Sequence, residues 1–404
     1  MSPAPGRRAW AVVAVGFGAL AVSFTGRALL GLTMTSWEET FGWTRAFASS
    51  AGAIALAATA IASPLAGNLA DRFGARPVLL AGLAGLACTG LVAYGATTRW
   101  EFLAALGVLG GIGYGFVAQH VIAAVVAAWF ATRRGLATAL AIAGSTAGQL
   151  LLIPVMAWLL ANVAWNLPFA ANAALALLLM PAVWLVTGRR TPVTLHAAQA
   201  RESLGDRLRR LARSHTFRAL FASFTLCGFT TTGVVETHLF PYAALCGYMP
   251  LESARAFSVL AAGNLAGMIL TGWLVDRMHR PTLLAAIFVL RALSFVVLMG
   301  IAGNPPALFL FAAMFGLLNF SVFPVIAGIV ASQLGVGIMG LALGVLFMGH
   351  SLGAATGMIL AGVLFDLFAR YVWVWIIALV LALLAGAIAL TIRDGPRTPT
   401  LATA

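Results

Sequence analysis

Charge is what this chain has least of: 9% of its 404 residues are charged, against 62% that are hydrophobic. A globule of that length needs a polar coat, so a soluble fold is excluded and the chain reads as a membrane protein. Lysine is missing altogether, and the formal charge of +13 rests on 24 arginines. A basic excess of that size invites a nucleic-acid reading. The arginines instead cluster at the ends of apolar runs, with no aromatic-interleaved basic groove, which rejects it. Cysteine is scarce too: Cys88, Cys227 and Cys246 make neither a disulfide framework nor a metal-ligand spacing. The histidines show no H-x-x-x-H or H-x-x-E-H pattern, so neither metal nor cofactor is expected. No nucleophile, metal cluster or carboxylate pair assembles, so no enzyme is expected either. No polar stretch reaches 30 residues, which argues against a receptor or sensor with an added signalling region.

What is present is a series of long apolar runs. A bilayer-spanning helix needs about 20 apolar residues, and twelve such runs are counted, at 10–36, 46–70, 77–97, 101–129, 134–161, 166–187, 217–243, 253–275, 281–301, 305–332, 337–365 and 371–392. The basic start, Met1 to Arg8, resembles a signal peptide, but the run behind it is too long and lacks a clear cleavage site, so a retained helix is expected. The predicted organisation is an N-terminal six-helix bundle at 1–187, a basic linker at 188–216 and a C-terminal six-helix bundle with a short tail at 217–404. The linker is either a basic amphipathic helix lying on anionic lipid or a solvated segment whose charges fix topology. With the N-terminus inside, 18 arginines fall on the cytoplasmic side and four (Arg45, Arg99, Arg255, Arg370) outside. Both termini are therefore expected in the cytoplasm.

The halves carry a repeated turn. Gly67-Asn68-Leu69-Ala70-Asp71-Arg72-Phe73-Gly74-Ala75-Arg76-Pro77 returns in reduced form 205 residues later, from Gly272 through Asp276 and Arg277 to Pro281. The second copy has His279 where the first has Gly74. Glycines let helices approach closely, while Asp71 and the arginines can make charge-assisted bonds at the helix ends, a lock that opens as the halves rock. Gly67, Asp71, Arg72, Gly74, Arg76, Asp276 and Arg277 are thus the candidate gate; the alternative is that these charges only set topology.

Six plus six helices, a basic middle loop and this motif between helices 2 and 3 resemble the major facilitator superfamily. The resemblance implies an all-α membrane fold in two pseudo-symmetric halves, working by alternating access as a monomer. A narrower likeness starts at Trp129-Phe130-Ala131-Thr132-Arg133-Arg134-Gly135-Leu136-Ala137 and runs through Ala143-Gly144 and Gly148-Gln149. With Ser36 to Trp43 after helix 1, Thr237 to Tyr242 ending helix 7 and Gly349 to Ala354 in helix 11, it resembles the monocarboxylate transporters and their bacterial relatives, which include oxalate/formate antiporters. One departure bears on substrate: Met268 stands where much of that family has a helix 8 arginine that meets a carboxylate. Ala164-Trp165-Asn166 likewise replaces a Gly-Trp-Arg.

An ionisable group in the hydrocarbon core costs about 2.5–3.5 kcal/mol on insertion scales, so each asks for a role. Arg27 lies about 25 Å along helix 1 at 1.5 Å per residue; helix 1 lines the cavity in the family it resembles, and Arg27 falls near that family's helix 1 lysine. It either clamps a carboxylate or snorkels to the outer surface. Arg291, on a helix peripheral in this superfamily, is read as structural, bonding freed carbonyls of a neighbouring helix. Glu236, shielded from water, can load a proton near neutral pH, and His238 can do the same with its unperturbed pKa near 6.5; either could instead cap or gate the outer interface. Two residues apart on a helix, they point about 200° away from one another. His350 is a candidate substrate or proton ligand, and His120 with Gln119 is either a ligand or a satisfied interhelical bond. Asn264 and Asn319 can bond substrate or each other. The glycine-rich stretch Gly107 to Gly115 follows no strand, so it is read as close packing rather than a phosphate cradle.

The function expected is a secondary transporter of a small organic anion, a monocarboxylate, coupled to protons, in a bacterial inner membrane. The alternative is a proton-driven exporter of an amphipathic or cationic compound, which loss of the helix 8 arginine and the presence of Glu236 would suit. Against that alternative, the Gly-Pro-rich helix 5 of drug/proton antiporters is absent.

Overall fold

The computed structural model describes residues 6–43, 45–130, 133–187 and 202–393, and among them there is no strand. Twelve helices are long and apolar enough to cross a membrane. The first six are α1 (Arg7–Leu32), α2 (Ser50–Phe73), α3 (Ala75–Gly95), α4 (Arg99–Trp129), α5 (Arg134–Asn162) and α6 (Leu167–Val186). The second six are α7 (His215–Leu245), α8 (Arg255–Leu274), α9 (Arg280–Met299), α10 (Pro305–Leu334), α11 (Val336–Phe368) and α12 (Val372–Leu390). Their outward residues stay apolar, with Leu178 74% and Leu185 72% exposed, a surface that water would not tolerate and lipid would.

Two compact units result. One holds residues 1–132, 140–202 and 336–344; the other holds 133–139, 203–335 and 345–404. In the first, Trp37, Phe102 and Phe169 sit at the centre of an aromatic core, Trp37 meeting Phe102 edge-on with ring centres 4.9 Å apart. In the second, Phe295, Phe315 and Trp375 do the same. Part of the expected linker, 188–201, lies outside the described residues; beyond it Leu204–Arg213 is a short helix whose Ser203 Oγ accepts from the Asp206 amide, an N-cap satisfying one orphan donor.

Helix 1 corrects the sequence reading. It ends at Leu32 rather than running to residue 36, and the Thr33 hydroxyl there donates to the Leu29 carbonyl at 2.8 Å. A separate short helix, Met34–Phe41, follows and stops at Gly42, whose φ of 63° is left-handed. Other spans are interrupted within their length, α5 among them at Ala143. α4 loses its helical bonding at Val117 and Ala118 and restarts at Gln119; α10 breaks at Phe320 and Ser321; α7 has a π-helical stretch, Phe229–Val235, that ends where Glu236 begins. Such irregular backbone at membrane depth is tolerated where it is buried in protein or lines a cavity.

The glycine-rich part of α4 packs against α2. A Cβ on Gly111 would stand 2.6 Å from the Ala55 carbonyl oxygen, so the close approach is what the glycine permits.

Candidate functional site

In the first unit Arg27 does not snorkel outward along α1. Its guanidinium lies 4.9 Å from the centre of the Phe24 ring and 5.0 Å from that of Tyr114, a cation–π arrangement, and Nη2 donates to the Tyr114 carbonyl at 3.4 Å. The buried Nε has no hydrogen-bond partner. Arg27 thereby lines a cavity of about 170 Å3 together with Thr59 and Tyr114. Gln119 and His120 stand at the restart of α4, and both are engaged with neighbouring helices: Gln119 Nε2 donates to Ser145 Oγ at 3.1 Å, and His120 Nε2 lies 3.1 Å from the Ser63 carbonyl. A carbonyl only accepts, so that nitrogen carries the hydrogen.

In the second unit, a polar cluster assembles around a residue that the sequence reading set apart from the site. Arg291 is fully buried. It donates from Nη2 to the carbonyls of Leu318 (2.7 Å) and Asn319 (3.0 Å) and from Nη1 to Cys227 Sγ (2.9 Å). Those two carbonyls are the ones freed where α10 breaks. The Asn319 side chain in turn donates to Glu236 Oε1 at 3.4 Å, so one residue touches the guanidinium through its backbone and the carboxylate through its amide. Asn319 is thus bonded to Glu236, while the buried Asn264 Oδ1 has no partner.

His350 joins the same neighbourhood. Its Nε2 lies 3.5 Å from the Thr231 hydroxyl, which donates to the Cys227 carbonyl at 2.8 Å. His238 faces elsewhere. Its Nε2 is 3.4 Å from the Met358 carbonyl and its Nδ1 3.2 Å from the Tyr371 hydroxyl, so with Nε2 protonated the tyrosine donates to Nδ1. Burial, with Asp366 adding, pushes the Tyr371 phenol up from its ordinary value and keeps it a neutral donor. Glu236 and His238 therefore share none of these partners. Met268, which stands where the resemblance implied an arginine, is fully buried.

At the ends of the helices, the repeated turns do the same thing twice. Asp71 Oδ1 and Oδ2 accept from the amides of Gly340 (2.8 Å) and Leu341 (3.0 Å) at the start of α11. Asp276 accepts from Gly135 (3.0 Å) and Leu136 (3.3 Å) at the start of α5. Each carboxylate sits on the positive end of a helix dipole. The contact is intimate, since a Cβ on Gly67 would stand 2.0 Å from the Gly340 oxygen and one on Gly272 2.9 Å from the Gly135 oxygen. Arg72 donates to the Glu202 carbonyl at 2.6 Å, Arg76 to the Trp184 carbonyl while stacking on its ring, and Arg277 to the Trp273 carbonyl at 2.9 Å. Gly74 has φ 85°, whereas His279 at the equivalent place has φ −67°; only the first turn needs glycine.

Sequence reasoning missed Tyr114, Thr59, Cys227 and Thr231 as neighbours of the charged groups. Hydroxyls and a thiol scattered in apolar runs carry no periodic signal, and only the breaks in α4 and α10 bring carbonyls to the arginines.

A sequence profile of the Major Facilitator Superfamily matches residues 16–334 and 247–404. Monocarboxylate transporter 11 of Homo sapiens is 30% identical over 380 residues, 90% of this chain and 78% of that protein. Monocarboxylate transporter 13 of Bos taurus is 26% identical over 377 residues, 93% and 87% of the two chains. The MFS-type transporter YcxA of Bacillus subtilis is 27% identical over 365 residues, 88% of each. Among solved structures, the transporter FucP in the outward conformation matches with a TM-score of 0.78 at 17% identity, covering 96% of this chain and 99% of that one. The proton:xylose symporter XylE matches with a TM-score of 0.74 at 16% identity, covering 96% of each. At those identities the structural likeness speaks for the fold alone.

Proposed function

The chain belongs to the Major Facilitator Superfamily, and on that premise we propose that it is a secondary active transporter of a small organic anion, a monocarboxylate, working by alternating access with proton symport. The observation that carries the anion reading is Arg27, a cation held at a cavity wall. A guanidinium at a cavity wall offers N–H donors and a positive charge to a carboxylate. The names of relatives that cover most of the chain, monocarboxylate transporters 11 and 13, support the same substrate class.

Glu236 is proposed to carry the coupling proton, with His238 as its alternative, and His350, Gln119, His120, Asn264 and Asn319 as polar lining of the path. The two aspartate–helix contacts, with Gly67, Arg72, Gly74, Arg76 and Arg277, form the gate that must part as access alternates. The proposed setting is a bacterial inner membrane, with both termini cytoplasmic, as the arginine distribution supports, and the protein working as a monomer.

The test is uptake of a short radiolabelled monocarboxylate by proteoliposomes. Arg27→Ala is expected to abolish it and Arg27→Lys to leave a fraction, because an ammonium keeps the charge and loses the fork. Full uptake by Arg27→Ala would remove Arg27 from the site.

A further inference from the structure

The walls of the Arg27 cavity carry more information than its charge. Among the described residues, Arg27 is the one charged residue in the lining. The lining also includes Leu30, Leu56 and Leu106, with Gly52 and Ala55. The donors nearby are partly used: the Thr59 hydroxyl donates to the Gly111 carbonyl at 2.9 Å, and Arg27 Nη2 to the Tyr114 carbonyl. The Tyr114 hydroxyl lies against Gly26, beside the Asn172 amide. What is left for a ligand is the Arg27 guanidinium at one end and leucine hydrocarbon over much of the rest. At about 170 Å3 the space is smaller than the roughly 300–1,000 Å3 of drug-sized sites.

We propose that this cavity selects a monocarboxylate with a compact hydrocarbon body, aliphatic or aryl, and disfavours hydroxy acids and dicarboxylates of equal size. The inference rests on Arg27 being the anion site. A hydroxyl carried on the tail among Leu30, Leu56 and Leu106 would leave water and find no partner in those side chains, so its desolvation goes uncompensated there. A second carboxylate would meet no second cation among the lining residues, and a buried unpaired charge is costlier still.

Isovalerate and 3-hydroxybutyrate test this directly, because a hydroxyl replaces a methyl at the same place in the tail. The reconstituted full-length protein should take up or bind isovalerate about tenfold or more in preference to 3-hydroxybutyrate, the scale on which pockets distinguish such groups. Succinate should compete more weakly than either. Leu56→Asn, and separately Leu106→Ser, should narrow the isovalerate preference by supplying a polar partner; a preference unchanged in both variants would overturn the assignment of these walls. Equal affinity for isovalerate and 3-hydroxybutyrate, each lost in Arg27→Ala, would overturn the selectivity and leave the monocarboxylate reading standing. No Arg27-dependent carboxylate binding of any kind would overturn both.

Discussion

Two arginines lie within long apolar helices, and their hydrogen bonds separate them. Arg291 spends three on Leu318, Asn319 and Cys227, while Arg27 makes one bond and keeps Nε without a partner. Both residues were legible in the sequence, because a charge inside a long apolar run stands out where charges are few. Their partners were not legible, since carbonyls freed by a helix break leave no mark in composition. Arg291→Met should destabilise the protein, because two buried carbonyls lose their donor at about 1–3 kcal/mol each. Thermal unfolding in detergent checks this, and an unchanged midpoint would mean that the break in α10 holds itself. Glu236 is the other residue whose role turns on one atom. Glu236→Gln keeps a group able to accept from Asn319 but cannot release a proton, so accumulation driven by a pH gradient should be lost while substrate counterflow persists. Unaltered proton-driven accumulation would take the coupling role from Glu236.

At the scale of elements, the interruptions matter as much as the helices. α4 restarts at Gln119 and α10 breaks after Asn319, and polar groups proposed to line the path sit at those points. Periodicity runs through both places without a signal, because the flanking residues are as apolar as the rest; the overshoot of helix 1 past Thr33 has the same origin. The repeated turn, in contrast, was plain in the sequence, although which helix starts its aspartates would cap was not, because amide donors belong to every residue type. Asp71→Asn and Asp276→Asn each remove a charge from a helix N-terminus, worth about 0.3–2 kcal/mol. Each single variant should lower the midpoint of thermal unfolding, and the double variant should lose close to the sum, as expected of separate contacts. A double variant no less stable than either single one would show that the two contacts form a single cooperative unit.

At the scale of the molecule, membrane insertion and superfamily membership followed from composition, the twelve runs and the repeated motif. Substrate did not, because the proposed selectivity rests on which side chains line one small cavity. The two aspartate contacts, alike in geometry, differ in when they can form. The partners of Asp276 precede it by 140 and 141 residues, so they are already made when it leaves the ribosome. Those of Asp71 follow it by 269 and 270. At about 5–20 residues per second of synthesis, the first aspartate waits roughly 15–50 s for its helix. A symmetry that is complete in space is thus broken in time: the nascent chain has neither clasp until Asp276 is made, and then only that one until Leu341 follows.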